Sequence, residues 1–129
     1  MSPYLCVALG GALGAVSRYT AGSLPVAQSS PHLRTAVINI AGCLVIGILW
    51  AVIDSFHLSR VWYNILIAGF LGGFTTYSSF SLETIRLVAD GRLSDALVYI
   101  GLTLLGCLGA CALGLYATSH ILNHHSPAL

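Results

Sequence analysis

The sequence is poor in charge. It has no lysine, a single glutamate (Glu83), three aspartates (Asp54, Asp90, Asp95) and five arginines (Arg18, Arg34, Arg60, Arg86, Arg92), so 7% of its 129 residues are charged and the net charge is +1. That balance leaves neither a basic patch nor an acidic tail, which excludes a nucleic-acid partner. The four cysteines, Cys6, Cys43, Cys107 and Cys111, lack CxxC spacing and histidine partners, and each lies in an apolar segment. They read as small buried hydrophobes at helix contacts, and no chemistry is assigned to them. No Ser/His or paired-Asp arrangement falls within the apolar segments, so the chain is not read as an enzyme. The start, Met1-Ser2-Pro3-Tyr4, lacks the basic region of a signal peptide, and the segment after it is expected to be a retained helix.

What remains is hydrophobic. Apolar residues make up 57% of the chain and the mean hydropathy is +0.88. Four separated apolar segments can be read, each near the roughly 20 residues a helix needs to cross a hydrocarbon core. The reading is an all-α integral membrane protein, one domain over residues 1–129, with four transmembrane helices over about 3–24, 33–53, 61–89 and 93–118. The third is broken near 72–76.

Helix 1 carries Gly10-x-x-x-Gly14, the small-residue spacing that lets helix backbones approach closely. Arg18 has two readings, facing a watery cavity or snorkelling to the interface. The turn-rich stretch Pro25 to His32 is short, so helices 1 and 2 are expected to be antiparallel neighbours. Helix 2 contains Asn39, whose amide must find a partner: another helix or an ion. Trp62 and Tyr63 sit where interface aromatics are expected. Asp90-Gly91-Arg92 marks a tight turn, and helix 4 is again dense in small residues. The tail from Ser119 to Leu129, with His120, His124 and His125, has no metal-ligand partner set and reads as a solvated end. The few arginines near helix ends do not fix an orientation, and insertion both ways is compatible with them.

The chain is organised around Gly69-Phe70-Leu71-Gly72-Gly73-Phe74-Thr75-Thr76-Tyr77-Ser78-Ser79-Phe80. Three glycines followed by four hydroxyl residues inside an apolar segment predict a broken helix. In a bilayer an unpaired backbone group costs several kcal/mol, so irregular backbone persists only where it lines a cavity or coordinates something. A break between two half-helices offers carbonyls to a cation and amides to an anion. Beyond it, Tyr77, Phe80 and Glu83 follow at three-residue steps along one face. Asn39, Thr76, Tyr77, Ser78, Ser79 and Arg18 can all donate to an anion, and an aromatic ring edge is electropositive. The leading idea is an ion site.

Gly10-Gly11-x-x-Gly14-Ala15-x-x-Arg18-Tyr19, then Val37-x-Asn39, then Gly69-Phe70-x-Gly72-Gly73-x-Thr75-Thr76-Tyr77-Ser78-Ser79-Phe80-Ser81-x-Glu83 resemble the Fluc (CrcB) family of fluoride ion channels. The likeness covers nearly the whole chain. It implies an antiparallel, dual-topology homodimer in the cell membrane, with two fluoride pathways and a structural sodium ion at the centre. By motif position, sodium would be held by the backbone carbonyls of Gly72 and Thr75. The fluoride pathway would use Asn39, the ring edges of Tyr77 and Phe80, the polar residues Thr76, Ser79 and Glu83, and Arg18 near the vestibule. The implied partners are fluoride, a second copy of the chain and lipid; the implied function is passive fluoride export that lowers toxicity.

Two other classes fit the length. A small multidrug-type proton-coupled exporter needs a carboxylate in helix 1, where this chain has only Arg18; Glu83 is its sole candidate. A non-transporting membrane assembly subunit would use Asn39 and the hydroxyls only as helix glue.

The chain departs from the family pattern at Tyr77-Ser78-Ser79-Phe80, where Phe-Ser-Thr-Phe is usual. The tyrosine adds a hydroxyl to the ring. Tyr77→Phe is therefore expected to change the fluoride current while leaving fluoride selectivity intact; equal currents from both proteins would count against a role for the hydroxyl.

Overall fold

The computed structural model describes residues 2–23 and 30–125. Among them α1 spans Pro3–Ser23, α2 spans Pro31–Ser55, α3 spans residues 60–74, α4 spans Tyr77–Ala89 and α5 spans Leu93–His125. No strand occurs among the described residues. The third segment is therefore two helices, α3 and α4, separated by the extended residues Thr75 and Thr76. The connection expected between helices 1 and 2 lies mostly outside the described residues.

The boundaries follow local chemistry. Proline at the first position of α2 is tolerated because that N–H has no helical partner. After α4, Gly91 takes φ +75, and the Arg92 and Gly91 amides return to the carbonyls of Leu87 (2.8 Å) and Val88 (3.0 Å). This is the glycine stop expected at Asp90-Gly91-Arg92. Helix α5 runs past 118 to His125, because Ser119–His125 contains neither glycine nor proline to stop it. Within α3, Tyr63–Leu71 is π-helical. That departure carries no signal in its apolar, proline-free sequence.

Among the described residues three stretches are long and apolar enough to cross a membrane: Pro31–Ser55, Arg60–Ala89 and Leu93–His124. This is a multi-pass membrane protein. Helix α1 is as long as a span but falls outside that set, since Arg18, Ser17, Thr20, Ser23 and its glycines lower its hydropathy.

The packing corrects one expectation. Helices α1 and α2 barely touch; α1 lies against α3, and α2 against α5. Backbone proximity decides this pairing. A Cβ on Gly14 would run into the Phe70 carbonyl, and one on Gly73 would meet the Gly11 carbonyl at 2.5 Å. On the other pair, a Cβ on Gly47 would strike the Cys111 carbonyl. Lipid tails give no hydrophobic drive for helices to associate, so close backbone contact at small residues supplies the attraction. The buried core proper is small, made of Ala36, Phe80, Leu87, Ala96 and Tyr99, and it lies where α2, α4 and α5 meet.

Because the Phe70 backbone cannot yield, Gly14→Val should separate α1 from α3 at a cost of about 1–3 kcal/mol, the usual scale of overpacking. Thermal unfolding in detergent checks this: a melting temperature equal to that of the unaltered protein would show that the two helices tolerate the wider spacing.

Candidate functional site

The break is held open by one side chain. Asn39 Nδ2 donates to the Thr76 carbonyl at 3.0 Å, and the Thr76 amide donates to Asn39 Oδ1 at 2.8 Å. Asn39 is buried, 7% exposed, so this two-sided bracket forms away from bulk water. Gly42, one turn along α2, clears the space, since a Cβ there would collide with the Thr75 methyl.

The bracket changes where the neighbouring carbonyls find partners. In an uninterrupted helix the Thr76 amide would return to the Gly72 carbonyl, but it is taken by Asn39. The Ser79 amide would likewise return to Thr75, yet it donates to Thr76 Oγ1 at 3.3 Å, the N-cap of α4. Both carbonyls named from the sequence, Gly72 and Thr75, thus lose the donor that helix continuation would supply. The Gly73 carbonyl accepts instead from Arg18 Nε at 3.1 Å. Of the two readings of Arg18, the structure selects the inward one: its side chain caps the end of α3.

Two cavities flank the break. One, of about 470 Å³, is lined by Arg18, Arg34, Thr35, Thr76, Ser79 and Glu83 among others. The second, of about 340 Å³, is an apolar groove bordered by Asn39, Gly72, Thr75, Tyr77, Phe80 and Thr103. Thr76 lines both. The residues singled out in the sequence are therefore brought together in two sets, Arg18, Ser79 and Glu83 in the polar vestibule, and Asn39, Tyr77, Phe80, Gly72 and Thr75 in the groove.

The vestibule favours an anion. Two guanidinium groups face one carboxylate, and among the described residues the only ion pair is Arg92–Asp95, elsewhere on the surface. Arg34 Nη1 donates to the Gly22 carbonyl at 3.4 Å, and Arg18 also bonds a neutral carbonyl, so neither charge is cancelled by a carboxylate. The N-terminus of α4 adds its partial positive charge beside Thr76 and Ser79. Glu83 is restrained: Oε1 accepts from Thr35 Oγ1 at 2.9 Å and Oε2 from the Tyr99 hydroxyl at 2.7 Å. With both oxygens engaged, it is poorly placed to serve as an open proton and drug site.

In the groove Phe80 is buried while Tyr77 is 75% exposed. Their rings lie 5.5 Å apart at 51°, and Phe80 also meets Tyr99 at 5.2 Å and 58°. Both pairs are tilted, neither stacked nor edge-on. Thr103 Oγ1 borders this groove, is buried, and has no hydrogen-bond partner among the described residues.

Thr35, Arg34, Tyr99 and Thr103 were not singled out from the sequence. A signal existed for three of them: Thr35 is one turn before Asn39, and Tyr99 and Thr103 are one turn apart on α5, which gives each helix a polar stripe. Arg34 had the appearance of an interface charge.

Residues 5–115 match the model of the family described as CrcB-like protein, Camphor Resistance (CrcB). The chain belongs to this family. Among its CrcB-like relatives, the fluoride-specific ion channel FluC of Acidobacterium capsulatum is 38% identical, over 92% of this chain and 97% of its own. FluC 2 of Rhodococcus jostii is 39% identical, covering 89% and 97%, and FluC of Bordetella petrii is 41% identical, covering 93% of each. Membership and the apolar spans together make this CrcB-like chain a multi-pass protein of the cell membrane.

Asn39→Ala should destabilise the protein by about 1–3 kcal/mol, since it leaves the buried Thr76 amide without an acceptor unless the break closes back onto Gly72. Thermal unfolding reads the loss; an unchanged midpoint would mean that the amide finds another partner at no cost.

Proposed function

We propose that this chain is a fluoride channel that lets cytoplasmic fluoride leave passively down its electrochemical gradient. The observation that carries this reading is the pair of cavities meeting at Thr76, one with uncancelled arginines and one apolar and bordered by the rings of Tyr77 and Phe80. The relatives named fluoride-specific ion channels, matched over nearly their whole length, point the same way.

Arg18, Arg34 and the α4 N-terminus raise the local anion concentration without binding the ion tightly. Past Ser79, whose hydroxyl accepts from Thr76 Oγ1 at 3.0 Å and keeps its own proton to donate, the groove replaces water with the Asn39 amide, whose second N–H remains after the Thr76 carbonyl is served, and with the rings of Phe80 and Tyr77, whose edges are electropositive. A narrow path with few water molecules and such donors favours a small ion over chloride, and weak successive contacts let it move on. Hydrogen fluoride crosses membranes as a neutral acid and ionises inside, so the channel relieves a trapped anion.

The working unit of this reading is an antiparallel homodimer with α1 as a fourth span. The exposure of Tyr77 and Gly72 supports it, because one chain closes only part of the groove. Sodium fits the same picture: the carbonyls of Gly72 and Thr75 have lost their helical donors, and hard cations prefer oxygen ligands. Bound there by carbonyls from each copy, the ion would tie the two breaks together as a structural element.

The test is fluoride efflux from liposomes holding only this chain, with chloride-loaded vesicles as control. Rapid fluoride loss without chloride loss is expected, and both Phe80→Ile and Asn39→Asp should abolish it. No efflux from well-folded protein would rule out a self-sufficient channel.

A further inference from the structure

The end of α5 carries a feature that ion conduction does not use. Helix α5 has 33 residues, about 50 Å at 1.5 Å per residue. A hydrocarbon core is about 30 Å thick, so the helix must project beyond it into headgroups or water. His120 and His124 lie one turn apart near that end, both exposed. Their Nε2 atoms are 3.2 Å apart, and the ring centroids 4.4 Å apart at 55°.

A separation of 3.2 Å suits more than a hydrogen bond. Two imidazole nitrogens at about 2.0–2.1 Å from a common ion, and this far apart, subtend roughly 100° at it, close to tetrahedral and square-planar cis angles. Histidines at i and i+4 on one helix face are the spacing by which helical metal sites present two ligands. No Asp, Glu, Lys or Arg follows Asp95 in the sequence, so no charged side chain later in the chain competes for the ion or repels it. The two rings meet through their Nε2 atoms, with the donor set by the tautomer; to hold an ion each ring presents its Nε2 lone pair and carries its proton on Nδ1.

We propose that His120 and His124 form a chelating site for a divalent transition-metal ion of the zinc and copper class, completed by water. The tail is solvated, as its sequence implies, and no group of three His, Cys, Asp or Glu that could hold a metal occurs among the described residues; the continuation of α5 adds a two-ligand pair to that end. Imidazole suits both ions, and copper should bind more tightly than zinc.

The test is calorimetric titration of tag-free protein in detergent with Zn²⁺ and then Cu²⁺, alongside the exchange Ser119→His/His120→Ser. That exchange keeps every histidine but leaves none at i+3 or i+4 from another. The unaltered chain is expected to take one ion per chain, and the exchange to weaken affinity on the order of tenfold or more, the scale on which even outer-shell partners of bound metals count. Equal affinity in the exchanged protein, or no saturable binding in the unaltered one, would overturn the site. Should the exchange misfold, His124→Gln serves in its place with the same readings. Fluoride efflux in metal-free buffer should be the same in all three proteins.

Discussion

The two hydrogen bonds between Asn39 and the Thr76 backbone are the constraint on which the rest depends. A helix inside a membrane satisfies itself, and any interruption must be satisfied by something else. Asn39 meets one donor and one acceptor of the same residue, which a hydroxyl or a charged group cannot do so evenly. Its effect spreads in both directions along the chain. Thr76 becomes the cap of α4, the Ser79 amide is drawn to its side chain, and the carbonyls at the end of α3 turn to Arg18 or lose their helical donors. The arginine, the hydroxyls and the glycines are thus parts of one arrangement.

That arrangement requires α2 and α1 to approach the break from different sides, which explains the helix pairing. Gly42 lets Thr75 lie against α2, while Gly14 and Gly73 let the α1 and α3 backbones touch. Connectivity would pair α1 with α2. The positions of small residues pair α1 with α3 and α2 with α5 instead, because in lipid the contact that can come closest is favoured over the one that is nearest in sequence.

Much of this was legible in advance. Glycines followed by hydroxyls announced the break, and the need to satisfy Asn39 announced its partner class, although not that the partner would be the break itself. The residues named for the site fall in two adjoining cavities, Tyr77 and Phe80 in one and Glu83 in the other, so the single face read from three-residue steps is divided between them. What escaped notice depended on facing helices. Tyr99 and Thr35 matter because they meet Glu83 across α4; each lies in a polar stripe of its own helix, but which stripes face each other is set by packing. The π-helical stretch was equally silent, since apolar residues without proline suit either helix type. The extension of α5 was readable from the lack of breakers, but a polar tail with three histidines invited the opposite reading.

The proposed second copy answers the same requirement. A groove that holds an interrupted backbone, a buried Thr103 hydroxyl without a partner among the described residues and a mostly exposed Tyr77 is unsuited to lie open to hydrocarbon. Lipid can cover the leucine-rich outer faces but offers no donors or acceptors to the Gly72 and Thr75 carbonyls. A cation between two copies would be coordinated by their lone pairs, and a second protein surface excludes lipid while leaving room for a small ion that has shed most of its water. Neither arginine in the vestibule is spent on a carboxylate, so the attraction for an anion survives the closure. The interrupted helix, costly in a single chain, becomes tolerable when its unsatisfied groups face a partner and an ion, and the proposed dimer and the proposed channel then rest on the same physical requirement.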